Sequence, residues 1–122
     1  MNLPENDQEI LLLHNPRCSK SRRVKALLEE QGIAFVERRY LDRPLDEAEL
    51  EELQRRLGRP LAEWIRKGES AYGEAGLGED SDETALRSAI VEHPVLLERP
   101  IVVRGARACV GRPPEDVLTL LG

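Results

Sequence analysis

"ILLLHNPRCSKSRRVKALLEEQGIAFVERRYL", residues 10–41, is the stretch whose reading decides the fold. Ile10 to Leu13 form a short continuous apolar run, the pattern of a strand covered on both faces, and "HNP" ends it. A helix is expected from about Ser19, with Val24, Leu27 and Leu28 on one face and Gly32 as the left-handed residue just past its end. "IAFVERRYL" then reads as a second strand, with Phe35 and Val36 expected at its buried part. Two strands joined by a helix should lie parallel, through a right-handed crossover.

Downstream the pattern turns helical and then returns to strands. Leu45, Asp46 and Glu49 make a hydrophobic staple and capping box at the start of "DEAELEELQRRLG", and Leu50, Leu53 and Leu57 form its apolar stripe up to Gly58. Short helices are expected to follow. One starts at Ser81 or Asp82 and stops at Pro94. "PIVV" and "RACV" flank "RGA", a glycine-containing hairpin turn, and "PPEDVLTLL" opens with prolines and acids as a closing helix. The order is β, α, β, a helical insertion over about residues 44–98, then β, β, α. That is the order of an α/β, thioredoxin-like (glutaredoxin-like) core with a mixed four-stranded sheet, expected as a single domain over residues 1–122.

Composition narrows what such a domain does. Aromatics are only 3% of the 122 residues, so the core must be built from Leu, Val, Ile and Ala. A net charge of −5 with 34% charged residues argues against binding nucleic acid over the whole surface, while leaving room for a local basic pocket. The acidic N-terminal segment does not read as a signal peptide, and no apolar run nears the roughly 20 residues needed to span a bilayer. A cytoplasmic protein is expected, without nucleic-acid or membrane partners. Cys18 and Cys109 are far apart in sequence and lack metal-ligand spacing, so no disulfide framework, metal or bound cofactor is expected.

Cys18 is the chemically suggestive residue. If the first strand ends near His14 and the helix begins near Ser19, the thiol sits at a helix N-terminus, where unpaired backbone N–H groups and the helix dipole favour negative charge. Such placement beside cations lowers a cysteine pKa from about 8.5 into the range of roughly 3.5 to 7.5. The same N–H groups can dock an oxyanion. Arg17, Lys20 and Arg22 lie close in sequence. Ser21 either hydrogen-bonds the thiolate or serves as a first-turn residue that satisfies the backbone. Cys109, on the last expected strand, reads as a packed residue.

The motif "HNPRCSKSR" at 14–22 resembles the active-site loop of the glutaredoxin-linked arsenate reductases, the ArsC family of the ArsC/Spx group. "YL" at 40–41, "IRKGESAYGEAGL" at 65–77, "HPVLLERPIVV" at 93–103 and "GRPPEDVL" at 111–118 are similar to that family's blocks, in order and over nearly the whole chain. The resemblance implies that Cys18 is the nucleophile and that Arg66, Arg99 and Arg112 form a cationic triad for arsenate. It further implies a supporting role for His14 and a cis peptide bond at Pro100. By that likeness arsenate is the substrate, glutathione the co-substrate and glutaredoxin the protein partner. With serine at 21 there is no C-x-x-C pair, which agrees with an external resolving thiol. Two other readings stay open at this point. One is an Spx-like regulator that binds RNA polymerase, and the other is a glutathione-dependent thiol oxidoreductase acting on another substrate.

Overall fold

The computed structural model describes residues 3–121. Strand β1 (Ile10–His14) runs through the middle of a four-stranded sheet, and all five of its residues are buried. Cover on both faces explains why its sequence does not alternate. Ile10 and Leu12 pack towards helix α1 (Ser19–Glu30) with Val24, Leu28 and Val102, whereas Leu11 and Leu13 pack into the opposite layer with Leu50, Leu53, Trp64 and Ile90. Strand β2 (Val36–Arg39) pairs parallel to one side of β1, and β3 (Ile101–Arg104) pairs antiparallel to the other. Strand β4 (Arg107–Val110) closes the far edge antiparallel to β3, giving the order β2-β1-β3-β4. The sheet is therefore mixed and the architecture thioredoxin-like, as the order of elements implied.

Local signals place the helices. Past the end of α1, Gly32 takes φ +68°, its N–H bonds to the Glu29 carbonyl and the Ile33 N–H bonds to that of Leu28. This is a Schellman stop, and only glycine adopts that backbone without strain. The insertion contains α2 (Glu47–Leu57), α3 (Ser70–Glu74) and α4 (Glu83–Glu92), with short 3-10 turns at Leu61–Glu63 and Pro94–Leu96. Asp82, not Ser81, caps α4 by accepting the Ala85 N–H at 2.8 Å. The final segment is a 3-10 turn, Pro114–Val117, that runs into a single α-turn, α5 (Leu118–Leu121).

The capping box of α2 is fully formed: Asp46 accepts the Glu49 N–H at 2.8 Å, and Glu49 accepts the Asp46 N–H at 3.1 Å. Asp46→Ala leaves an N–H at the helix start unpaired. It is expected to cost about 1 kcal/mol, measured as a lower urea midpoint with an unchanged slope.

Strand β2 departs from expectation. Val36 is 66% exposed and Phe35 only partly buried, while Arg38 and Tyr40 are the buried residues. The strand is an edge, and the helical layer covers only its C-terminal end, so an apolar residue at the start gains little cover. Arg38 is buried because every arm of its guanidinium is engaged. It forks onto both oxygens of Glu49 at 2.6 and 3.1 Å and donates to the carbonyls of Arg43 and Pro44 at 2.9 and 2.7 Å. A buried charge is tolerable only when satisfied in this way. The pair ties β2 to α2 and so fixes the position of the residues that follow Arg38.

Candidate active site

At the C-terminal end of β1 the chain leaves the sheet through Asn15-Pro16-Arg17 and enters α1 with Cys18 as the N-cap residue. Its φ of −92° and ψ of 124° are extended, which is ordinary N-cap geometry. Two hydrogen bonds set the turn: Cys18 N–H to the Asn15 carbonyl at 3.0 Å, and Arg17 N–H to Asn15 Oδ1 at 3.0 Å. Arg22 closes it from the helix side by donating to the Pro16 carbonyl at 2.9 Å. Arg17 and Lys20 stay exposed.

His14 and Ser21 form a second clasp beneath this turn. Ser21 Oγ is buried and accepts the Asn15 N–H at 3.0 Å, which leaves its own proton free for His14 Nδ1 at 2.7 Å. Burial pulls the His14 pKa below its ordinary 6.5, with the nearby cations Lys25, Arg39 and Arg22 adding to that against the opposing pull of Glu37. A neutral ring accepts the Ser21 O–H. The Ser21 side chain thus serves the backbone and His14, and it is the backbone N–H of Ser21 that reaches the Cys18 sulfur.

The Cys18 thiol is 9% exposed, and its pKa is lowered from the ordinary 9.0. Burial is the largest single influence and opposes ionisation. The N–H of Ser21, the Arg99 side chain and the N–H of Lys20 together outweigh it. Arg112 Nη2 also lies 3.9 Å from Sγ. The structure therefore brings Cys18, Arg99 and Arg112 together. Arg66 joins the group through carboxylates, its Nη1 lying 2.9 Å from Glu98 Oε1 and its Nε 3.1 Å from Glu69 Oε1. Arg112 Nε lies 2.9 Å from the same Glu98 oxygen and donates to the Arg99 carbonyl at 2.7 Å.

Backbone contacts hold these arginines. Arg66 N–H bonds to the Leu96 carbonyl and Glu98 N–H to that of Trp64, around a bridge between Ile65 and Leu97. Arg99–Pro100 is cis, as expected, and Arg112–Pro113 is cis as well. Gly111 brings the Arg112 segment close to both: its N–H bonds the Pro100 carbonyl, and a Cβ there would lie 2.8 Å from Val24 and 2.9 Å from Pro100.

Three residues of the site were not singled out from the sequence. Glu98 and Glu69 neutralise the arginines. Tyr40 is 1% exposed, and its hydroxyl lies beside Asn15 and Arg99; burial pushes its pKa up to about 12, so it stays a donor. No hydrogen bond of ordinary geometry satisfies that hydroxyl among the described residues, nor Nε and Nη1 of Arg99, although Nη1 lies 3.7 Å from Glu69. Buried donors left unpaired cost about 1–3 kcal/mol each, so such a group is suited to receiving an anion. The signal for Tyr40 was its rarity, since the chain has two tyrosines. For Glu98 it was a carboxylate directly preceding one of three arginines.

The site is distinct from a surface groove elsewhere on the molecule. That groove, about 570 Å³, lies at the opposite end of β1 and is lined by Leu3, Ile10, Ala34, Phe35 and Val36. Among the described residues there is no cluster of metal-ligating side chains and no helix long and apolar enough to cross a membrane. Cys109, on β4, is half-buried with its sulfur 3.5 Å from the Asp116 carbonyl, and burial pushes its pKa up.

The two thiols should therefore titrate apart. Iodoacetamide is expected to alkylate Cys18 first, with a midpoint below that of an ordinary thiol, and Cys109 only at higher pH, as followed by peptide mass spectrometry. Alkylation of Cys109 at the lower pH would contradict the assignment of the thiolate.

The chain is similar to known proteins over nearly its whole length. The model of the ArsC family matches residues 13–120. An arsenate reductase from Neisseria meningitidis is 47% identical over 115 residues, covering 93% of this chain and 98% of the relative. The uncharacterised Escherichia coli protein YfgD is 44% identical over 117 residues, covering 94% and 98%. A solved arsenate reductase structure from Vibrio cholerae superposes with a TM-score of 0.88 at 43% identity, covering 94% of this chain and 99% of that one.

Proposed function

The chain belongs to the ArsC family, and from that premise we propose that it reduces arsenate to arsenite. The observation that carries the reading is a buried cysteine at a helix start with Arg99 and Arg112 beside it, surroundings that favour its thiolate. A thiolate held among cationic donors can attack a tetrahedral oxyanion that those donors position.

In this reading Cys18 attacks arsenic, and hydroxide or water leaves as the S–As bond forms. Arg66, Arg99 and Arg112 hold the oxyanion through planar forks that suit two oxygens at once. The Tyr40 hydroxyl and the N–H groups of Lys20 and Ser21 are further donors at the reacting centre. His14 and Ser21 support the turn that presents the sulfur, and Pro100 supports the segment that carries Arg99.

Arsenic must then gain two electrons, which one thiol cannot supply without oxidising a second sulfur. Ser21 occupies the position of a C-x-x-C partner, and Cys109 packs on β4, so the second sulfur comes from outside. Glutathione attacks arsenic in the adduct, forming a second S–As bond as hydroxide or water leaves. A glutaredoxin thiolate then attacks the glutathione sulfur to form a mixed disulfide, the S–As bonding pair stays on arsenic, now As(III), and water displaces the Cys18 thiolate to release arsenite. The protein needs no bound cofactor for this and works in the reducing cytoplasm.

Arsenite counted directly, in reactions with arsenate, glutathione, glutaredoxin, NADPH and glutathione reductase, tests the reductant by omission. The rate of arsenite formation should fall to the protein-free level when either glutathione or glutaredoxin is left out. A rate that is unchanged without them would overturn the external-thiol assignment.

A further inference from the structure

Glu98 places a carboxylate inside the very cluster that is read as an oxyanion site. A single oxygen, Oε1, lies 2.9 Å from Arg66 Nη1, 2.9 Å from Arg112 Nε and 3.2 Å from the Arg99 backbone N–H. Glu69 adds a second carboxylate, 3.1 Å from Arg66 Nε and 3.7 Å from Arg99 Nη1. Three guanidiniums thus face two carboxylates and the Cys18 sulfur, and much of the positive charge of the cluster is offset before any substrate arrives.

We infer that Glu98 is a built-in competitor for Arg66 and Arg112 that keeps reversible anion binding at this site weak. The inference rests on the oxyanion reading of the site, and it concerns how tightly the site holds an anion.

The chemistry makes such weakness useful. Phosphate and arsenate have the same shape and nearly the same charge, so no arrangement of arginines separates them strongly by affinity. A tight pocket would be filled by phosphate. If the reversible step is weak, discrimination falls to the covalent step, because a thiolate adds far more readily to arsenic than to the phosphorus of inorganic phosphate. Rate differences then arise from interactions made in the transition state, where binding energy is effective for selection. With Glu98 in place, an incoming dianion must compete with a carboxylate that already accepts a hydrogen bond from Arg66 and is ion-paired with Arg112.

The test uses the full chain in a Cys109→Ser background, so that Cys18 is the one thiol. Inorganic phosphate is titrated against the rate of Cys18 alkylation by iodoacetamide, for the parent and for Glu98→Gln, with Glu98→Ala as a second variant and circular dichroism to confirm folding. Glutamine keeps the size and an acceptor oxygen but removes the charge. Half-protection by phosphate is expected at a concentration at least about tenfold lower in Glu98→Gln, the scale of one charge-assisted hydrogen bond. Glu98→Ala should move in the same direction.

Equal or weaker protection in both variants would overturn the inference and make Glu98 a carboxylate that positions the arginines. Absence of protection by phosphate in parent and variants alike would overturn it too. Arsenate turnover, measured separately on the parent, distinguishes the two readings. Turnover with an unchanged phosphate response in Glu98→Gln would sink the inference alone, and the expected phosphate response without turnover would sink the reductase reading alone.

Discussion

Replacing Cys18 with serine is expected to reduce arsenate turnover by at least about a thousandfold, to the level of the blank. The hydroxyl is nearly the same size, so the N-cap geometry and the packing of α1 should survive, and the far-ultraviolet spectrum with them. What is lost is the anion. The N–H groups of Ser21 and Lys20 and the Arg99 side chain favour ionisation of a thiol, but they cannot bring a serine hydroxyl, a far weaker acid, to the same state. Cys109→Ser is the matched control. Its thiol is on β4 with its pKa pushed up by burial and by Asp116, and that variant should retain close to full activity. Residual turnover in Cys18→Ser well above the blank would mean that another group performs the attack.

The second large effect is at Arg99. Arg99→Ala removes a group that steadies the thiolate and contributes buried donors, two of them unpaired, beside it. Loss of one such donor typically costs 10²–10³ in rate, or about 3–4 kcal/mol in the transition state, and kcat/KM should fall by that order. A structural role alone would stop there. The mechanism requires more, because Arg99 lowers the Cys18 pKa, so the alkylation profile of the variant should move to higher pH. The sign is fixed: removing a cation that favours the charged form raises the pKa. Arg99→Lys should recover part of the pKa shift through its charge and little of kcat/KM, since an ammonium lacks the planar fork. Unchanged kinetics in Arg99→Ala would refute its place in the site.

Most of what positions Cys18 was legible in the sequence because its signals are local. An unalternating apolar run, a glycine just past a helix, and an acid paired with a glutamate three residues on each report physics acting within a few residues. These gave β1, the Gly32 stop and the Asp46–Glu49 box where the structure has them. The errors came where distant chain decides. Phe35 and Val36 read as buried because apolar residues in a strand usually are, and nothing local announces that β2 is an edge covered only at one end. Nor does anything local announce that Arg38 is buried, since its partner Glu49 lies in another element.

The candidate site divides in the same way. Cys18 and its backbone N–H groups follow from the strand–loop–helix pattern alone. Arg66, Arg99 and Arg112 carry no local signal and entered through family resemblance, while Tyr40, Glu69 and Glu98 emerge only when β2, the segment before β3 and the insertion meet beside the thiol. Ser21 had two readings, and geometry separates them. Its side chain is taken by His14 and Asn15, and its backbone serves the sulfur.

The most direct test is arsenic speciation. Arsenate is incubated with the purified chain, glutathione, glutaredoxin and the NADPH-regenerating system, and arsenite is separated from arsenate and counted per mole of protein over time. Arsenite should accumulate through many turnovers with the wild type and stay at the protein-free level with Cys18→Ser. Arsenite at the protein-free level with the wild type, under conditions where Cys18 is fully reduced and alkylatable, would contradict the account.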